Sequence, residues 1–290
     1  MHSEILSVFE KQMRLKGLAR QTIKSYTQSI KDFFLFSRDM TIDAVAEYLN
    51  QKKIMVDNRQ LSRSHYNQVQ YAFDKYWQLF YAKRLPILNR VKVFTIPPKV
   101  LSEEQVINLL AAEQSNLSRM IISLGYFSML RRGEIWKLNL YEDIDTENRK
   151  VYVRAGKGFK PRVSILSDFT ARLVNAEREE RKARRIVNPW LCAKPGSRDR
   201  YLCYSELGKI VKAAAEKAKI EGIYPHLLRH TGATHLDLQG VSTRKIQRLE
   251  GHESLTTTQR YITHTQDQVL EVKNKLDVLL LQSKENSNNV

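Results

Sequence analysis

Pro225-His226-Leu227-Leu228-Arg229-His230-Thr231-Gly232-Ala233-Thr234-His235 is the stretch on which the reading turns. Proline carries no N–H and has its φ fixed near the helical value, so it suits the first position of a helix. A helix opening at Pro225 puts His226 and Arg229, three residues apart, on one face at its N-terminal end. A phosphate bound there would meet a guanidinium fork, an imidazole and the positive end of the helix dipole. Alone, a His-x-x-Arg spacing is common on surface helices. Its meaning depends on its neighbours.

Toward the C-terminus, Ser242 suits an N-cap and Ile246 and Leu249 continue a helix that Gly251 would end, sending His252 out at a fixed angle. Thr256-Thr257-Thr258 suits the cap of a further helix with Tyr261 about one turn in; by itself Tyr261 reads first as a core aromatic. Val269, Val272, Leu276, Leu279 and Leu280 then form one apolar stripe, an amphipathic helix that must bury it somewhere. Toward the N-terminus, Leu130-Arg131-Arg132-Gly133-Glu134-Ile135 ends an apolar run from Ile121 that reads as a buried helix. Burial there forces Arg131 to find an anionic partner, protein or phosphate. Between these segments, residues 149–154 and 162–166 alternate polar with apolar and predict a β-hairpin. Its loop, Gly156-Lys157-Gly158-Phe159-Lys160-Pro161-Arg162, lets Lys157 reach out between two glycines. Asp143-Ile144-Asp145 breaks the pattern before the hairpin, and the charged run from Glu177 to Arg185 reads as a solvated helix.

The remaining sequence supplies the setting. In 290 residues, 48 Lys and Arg stand against 31 Asp and Glu, a net charge of +17, with 42% hydrophobic and 27% charged residues. That composition is globular, the length predicts about two domains, and the charge calls for a polyanion, which inside a cell means nucleic acid. Cys192 and Cys203 cannot form a disulfide framework and lack the pairing of a zinc site. Met1-His2-Ser3-Glu4-Ile5 has no signal-peptide character and no apolar run approaches a membrane span, so a soluble cytoplasmic protein is expected, with no membrane partner.

Four helices are predicted in the first 90 residues, on the apolar sets Ile5 to Met13, Ala19 to Phe34, Val45 to Ile54 and Tyr66 to Phe80. Their polar faces carry Lys11, Arg14, Lys16, Arg20, Lys24 and Lys31, then Lys52, Lys53, Arg59 and Arg63, which either solvate the helices or track a phosphate backbone. Residues 89–99 read as extended and end in Pro97-Pro98, while Ser102 with Gln105 has the form of a capping box that opens a new helix. The expected division is 1–90, a linker 91–100, a second domain 101–265 and a terminal helix and tail 266–290.

Taken in order, these pieces resemble the tyrosine recombinase, or phage integrase, family, which includes the Xer-type recombinases and lambda-type integrases. The family's patterns G-L-R-x-x-E, G-K-G-x-K-x-R, H-x-L-R-H, L-G-H and T-T-x-x-Y fall here on Arg131, Lys157, His226 with Arg229, His252 and Tyr261. Two positions depart from them: Met129 stands where a glycine usually precedes Leu-Arg, and Glu250 where an apolar residue usually precedes Gly-His. Met129 is expected to alter packing behind Arg131, and Glu250 to bring a carboxylate near His252. The resemblance implies a mainly α fold with a small β-hairpin or sheet (α+β). It also implies an N-terminal four-helix SAM-like core-binding domain and a C-terminal catalytic domain, closing as a C-shaped clamp on duplex DNA.

It further implies an activity: site-specific cutting and rejoining of duplex DNA for integration, excision or resolution, through a 3′-phosphotyrosyl intermediate and a Holliday junction. Tyr261 would be the nucleophile and Arg131 and Arg229 the clamp on the phosphoryl oxygens. Lys157 would protonate the departing 5′-oxygen, while His226 and His252 would bond the phosphate and assist proton transfer. A phenol is unreactive at its ordinary pKa of about 10, so neighbouring cations or a base must activate it. Neither ATP nor a metal ion is expected as cofactor; the sequence has no phosphate-cradling Gly-x-x-x-x-Gly-Lys loop, and the His226/His230 pair has no third ligand in register. His230 and His235 are expected to be structural, and His2, His65 and His264 to lie at the surface.

The cations expected to meet DNA are Lys11, Arg14, Arg20, Lys24 and Arg63, with Lys160 and Arg162 in the hairpin loop. The partners expected are a duplex carrying a specific recombination site and further copies of the chain, a homo-tetramer or dimer of dimers joined through the terminal helix. An Xer-like layout is expected, with no extra arm-binding domain before the first helix. Two alternatives share parts of this pattern: a type IB-like topoisomerase, and a DNA-binding regulator on an inactive recombinase scaffold.

Overall fold

Apolar side chains three and four residues apart organise the first four elements. Helix α1 (His2–Leu15) buries Phe9 and Met13, α2 (Arg20–Phe36) Ile23, Ile30 and Phe33, α3 (Ile42–Asp57) Val45, Leu49 and Val56, and α4 (Arg63–Phe80) Tyr66, Val69, Phe73 and Trp77. Phe33 is the hub of their shared core, edge-on to both Tyr48 and Phe73 at 5.4 and 5.2 Å. The hydroxyls of Thr41 and Ser62 cap α3 and α4, each worth about 1 kcal/mol. Ile54, expected on the buried stripe, points to solvent instead. His2, expected at the surface, stacks on Phe34 and donates from Nε2 to the Arg38 carbonyl at 3.1 Å.

This computed structural model describes residues 2–93, 100–112, 115–154 and 161–251. The chain divides into two compact units, 1–96 and 97–290. Residues 89–91 are strapped to α4. Gln70 accepts from the Asn89 N–H and donates to its carbonyl, at 2.9 and 3.0 Å, and Asn67 does the same for Val91 at 2.9 and 2.8 Å. Val91, expected to begin the linker, therefore runs along the first unit as a strand would along a sheet edge, with two side-chain amides in place of a partner strand. Pro97 and Pro98 lie outside the described residues.

In the second unit, Ser102 and Gln105 form the reciprocal capping box of α5 (Glu103–Ala111). Helix α6 (Asn116–Tyr126) is buried along most of its length at the centre of the core, where α8 (Asp168–Ala183), α9 (Glu206–Lys217) and α10 (Pro225–Leu238) cover it. The backbones of α6 and α10 approach so closely at Gly232 that a Cβ there would lie 2.1 Å from the Tyr126 carbonyl oxygen. The apolar run to Leu130 does not stay helical: the helix ends at Tyr126 and the chain turns through Met129 at φ +50° before the short helix α7 (Arg132–Trp136).

Three antiparallel strands follow, β1 (Ile144–Asp145), β2 (Lys150–Val153) and β3 (Arg162–Ile165), in the order β1-β2-β3 with Val151 opposite both Ile144 and Ser164. The first strand was not expected. The fold is thus mainly helical with a small three-stranded sheet. Helix α11 (Thr243–Glu250) closes the described chain, and Gly251 ends it in the left-handed conformation, φ +64°.

The charged run on α8 is not simply solvated. Arg181 is buried, bound to Glu177 and donating to the carbonyls of Asn188, Trp190 and Leu191. Arg178 clips the carbonyls of Leu140 and Ile144. These cations satisfy carbonyls that β1 and the 188–191 loop would otherwise leave unpaired. Among the described residues no helix is long and apolar enough to cross a membrane.

Candidate active site

The start of α10 forms as the sequence implies, with Pro225 in the first turn. Yet its two polar residues lie at different depths: His226 is exposed, whereas the Arg229 side chain is fully buried, 0% exposed. The two residues lie on one helix three positions apart, as expected, but only His226 reaches the surface. A guanidinium that deep needs hydrogen-bond acceptors and a counter-charge beside it. Its Nη1 donates to the Met129 carbonyl at 2.6 Å, its Nη2 to the Glu250 carbonyl at 2.6 Å, and its Nε lies 3.1 Å from the Glu250 carboxylate. Burial pushes its pKa down to about 10, with Glu250 opposing that shift.

Arg131 stands at the start of α7. Its Nη2 donates to the Gly251 carbonyl at 3.3 Å, so Arg131 and Arg229 bind successive carbonyls of one turn, residues 250 and 251. Arg131 also finds the anionic partner that its burial required. Glu134 accepts from the Arg131 backbone N–H at 2.8 Å and from its Nη1 at 3.0 Å. Arg162 grips the same carboxylate through both Nη atoms, each at 2.7 Å, and donates from Nε to the Leu249 carbonyl at 3.0 Å. Burial pushes the Glu134 carboxyl up, but the hydrogen bonds and charge of Arg162, joined by Arg131, outweigh it and hold the group below the usual carboxylate range. Arg162, expected to reach DNA, is instead a strut: all three of its nitrogens are committed, and its methylene chain packs over Gly251, where a Cβ would lie 2.9 Å from Cδ.

His226 and Arg131 open onto one cleft of about 630 Å³, lined also by Arg132, Lys137, Tyr204 and Tyr224. The Arg132 guanidinium lies 4.0 Å from the centre of the Tyr204 ring. Desolvation, then the charges of His230 and Arg229, hold the His226 pKa below its ordinary value, so its ring is neutral at pH 7 and able to take a proton. His230 meets His226 edge to face at 4.5 Å. His235 is structural: its Nε2 donates to the Leu101 carbonyl at 2.9 Å, which leaves Nδ1 to accept from the Tyr126 hydroxyl at 2.8 Å.

Met129, which replaces the expected glycine, holds its left-handed backbone while its side chain is buried with Ile165, Leu236, Ile246 and Leu249. That cluster docks α11 on β3 and α10. Glu250, expected near His252, directs its carboxylate to Arg229. Lys157, Lys160, His252, Tyr261 and the helix expected within 266–290 lie outside the described residues.

In the first unit Lys11, Arg14, Arg20, Lys24 and Arg63 are all exposed, with Arg14 paired loosely to Glu10 at 3.4 Å and Arg63 donating to the Lys92 carbonyl at 3.3 Å. Tyr204 and Tyr224 carry no sequence signal that would have placed them at the cleft; only the fold brings them there. Among the described residues no group of three or more His, Cys, Asp or Glu is placed to hold a metal ion.

The sequence and the fold both resemble those of known proteins. The chain is 30% identical over 282 residues to tyrosine recombinase XerA of Pyrococcus horikoshii, covering 96% of this chain and 95% of that one. Its fold is similar to that of XerH site-specific recombinase in a post-cleavage complex on a palindromic difH substrate, with a TM-score of 0.67, 24% identity and 94% and 84% of the two chains covered. It is similar as well to lambda integrase in a tetramer bound to a Holliday junction, with a TM-score of 0.65, 16% identity and 90% and 80% covered. The pattern that defines the phage integrase family matches residues 99–268, more than half of the sequence, and the chain belongs to that family, the tyrosine recombinases.

Proposed function

We propose that this recombinase exchanges strands between duplexes at a specific site: Tyr261 attacks the scissile phosphorus and the 5′-oxygen leaves as a hydroxyl, which then attacks the 3′-phosphotyrosyl phosphorus of a partner duplex and releases the tyrosine there. The observation that carries the reading is the meeting of Arg131 and Arg229, about a hundred residues apart in sequence, on the carbonyls of residues 250 and 251, the turn that leads directly into His252. Two permanent cations at one point, beside a neutral imidazole at His226, are what a phosphorane with growing negative charge needs. In-line attack requires only positioning and charge neutralisation, and neither demands ATP.

Lys157 donates the proton to the leaving 5′-oxygen and His252 joins the phosphate contacts, both as the family resemblance implies. The first unit serves as core-binding domain, with Lys11, Arg14, Arg20, Lys24 and Arg63 on DNA phosphates, and residues 101–265 as the catalytic domain. Four copies work together in the cytoplasm, coupled through the terminal helix 266–290; the lambda integrase tetramer on a Holliday junction supports that count. A surplus of +17 serves the same partner, since each neutralised phosphate releases a counterion.

The test uses two duplexes of different length that carry a site recovered by selecting bound DNA, incubated with the full chain in EDTA without nucleotide. Recombinant duplexes of new length are expected. Relaxation of supercoils without exchange would assign a topoisomerase, and binding without cleavage would assign a regulator.

A further inference from the structure

Both positions at which this chain departs from its family's pattern touch the same guanidinium. Residue 129 supplies the carbonyl bound by Arg229 Nη1, and residue 250 supplies both the carbonyl bound by Nη2 and the carboxylate beside Nε. Nε and Nη2 form one edge of the planar guanidinium, the edge through which arginine commonly grips an oxyanion with two parallel bonds. Glu250 lines that edge, its carbonyl hydrogen-bonded to Nη2 and its carboxylate in an ion pair 3.1 Å from Nε, and it is buried, 6% exposed. Burying an arginine without a counter-charge is costly, so a chain that seals Arg229 completely needs an anion beside it when DNA is absent. An apolar side chain at this position would leave that charge to the DNA alone.

We infer that Glu250 is a positioning residue for Arg229, an internal counter-ion seated where a phosphate oxygen must bind. This rests on the reading that Arg229 takes the scissile phosphate. The carboxylate keeps the guanidinium in place in the free protein and has to give way when a phosphate arrives. The clamp is then ordered but partly neutralised before DNA binds, and the phosphate gains only the difference between two anions.

The inference is tested by thermal unfolding of the full chain and of Glu250→Gln against inorganic phosphate, with ionic strength held constant by chloride. In chloride alone Glu250→Gln is expected to melt below the unchanged protein. Phosphate is expected to restore it, with half the recovery at a concentration at least tenfold lower than any that stabilises the unchanged protein. If the variant is unfolded in chloride, phosphate is expected to fold it. Equal phosphate dependence in both proteins, or a variant that phosphate does not recover, overturns the inference, because loss of a merely structural ion pair would not create a new anion response. The readout involves no strand cleavage, so it stands or falls separately from Tyr261 chemistry.

Discussion

Arg162 and Glu134, 28 residues apart, meet in a two-pronged pair with both N–O distances 2.7 Å, and Arg162 also holds the Leu249 carbonyl. A strand, the helix that carries Arg131 and the end of α11 are thereby tied at one carboxylate. Arg162→Ala would leave Glu134 with Arg131 as partner, whereas Glu134→Ala strands two cations. Glu134→Ala is therefore expected to cost about 3–5 kcal/mol and Arg162→Ala less, read by urea unfolding of the full chain. Because the Glu134 pKa is lowered on folding, its contribution is present above the ordinary carboxylate value and is lost as pH falls through the lowered one. Glu134→Gln should accordingly flatten the acid limb of the stability profile.

Gly232 and Gly125 test the α6–α10 contact from both sides. A Cβ on Gly232 would fall 2.1 Å from a backbone oxygen that has no room to move, while one on Gly125 would lie 3.4 Å from Leu228 Cβ. Gly232→Ala should destabilise by about 3 kcal/mol or more, or prevent folding. Gly125→Ala should change stability by about 1 kcal/mol or less, since alanine's better helix propensity offsets mild crowding. Equal melting temperatures for the two variants would contradict this packing.

The sequence made some of this legible and hid the rest for identifiable reasons. Helices α1 to α4 follow from apolar spacing, and the ends of α10 and α11 follow from Pro225 and Gly251, because these are local effects of backbone and burial. Arg162, Arg178 and Arg181 looked like solvated or DNA-facing charges; a charge on a polar stretch carries no local mark of the carbonyls that the fold later brings to it. Strand β1 was hidden because its two residues, Ile144 and Asp145, are too few to show a period. The pairing of Glu250 with Arg229 is a tertiary contact between residues 21 apart on two different helices, and nothing local to Glu250 marks the arginine that the fold brings to it.

Met129 bears on the same point. A glycine there would relieve a left-handed backbone worth about 1–2 kcal/mol, but would remove a buried side chain worth about 2–5 kcal/mol. Met129→Gly is therefore expected to destabilise by about 2 kcal/mol net. A more stable variant in the same denaturant series would show that the Met129 cluster does not hold α11.

His226 sets a pH dependence. Its pKa is lowered on folding, so as pH falls below about 6.5 the unfolded chain takes up a proton before the folded one does, and stability declines through the lowered value. Melting temperatures between pH 5 and 8 should fall on the acid side, and His226→Gln should make that slope shallower. Identical slopes would mean that the ring titrates alike in both states.

The most direct test of the whole account is the covalent bond itself. The full chain and Tyr261→Phe are each incubated with a nicked duplex carrying the selected site, so that the short strand next to the cut diffuses away and traps any intermediate. The products are then digested and sequenced by tandem mass spectrometry. The account predicts a peptide bearing a DNA 3′-phosphate on Tyr261, absent from Tyr261→Phe. An adduct that survives Tyr261→Phe, or none on DNA that the unchanged protein binds specifically, would contradict it.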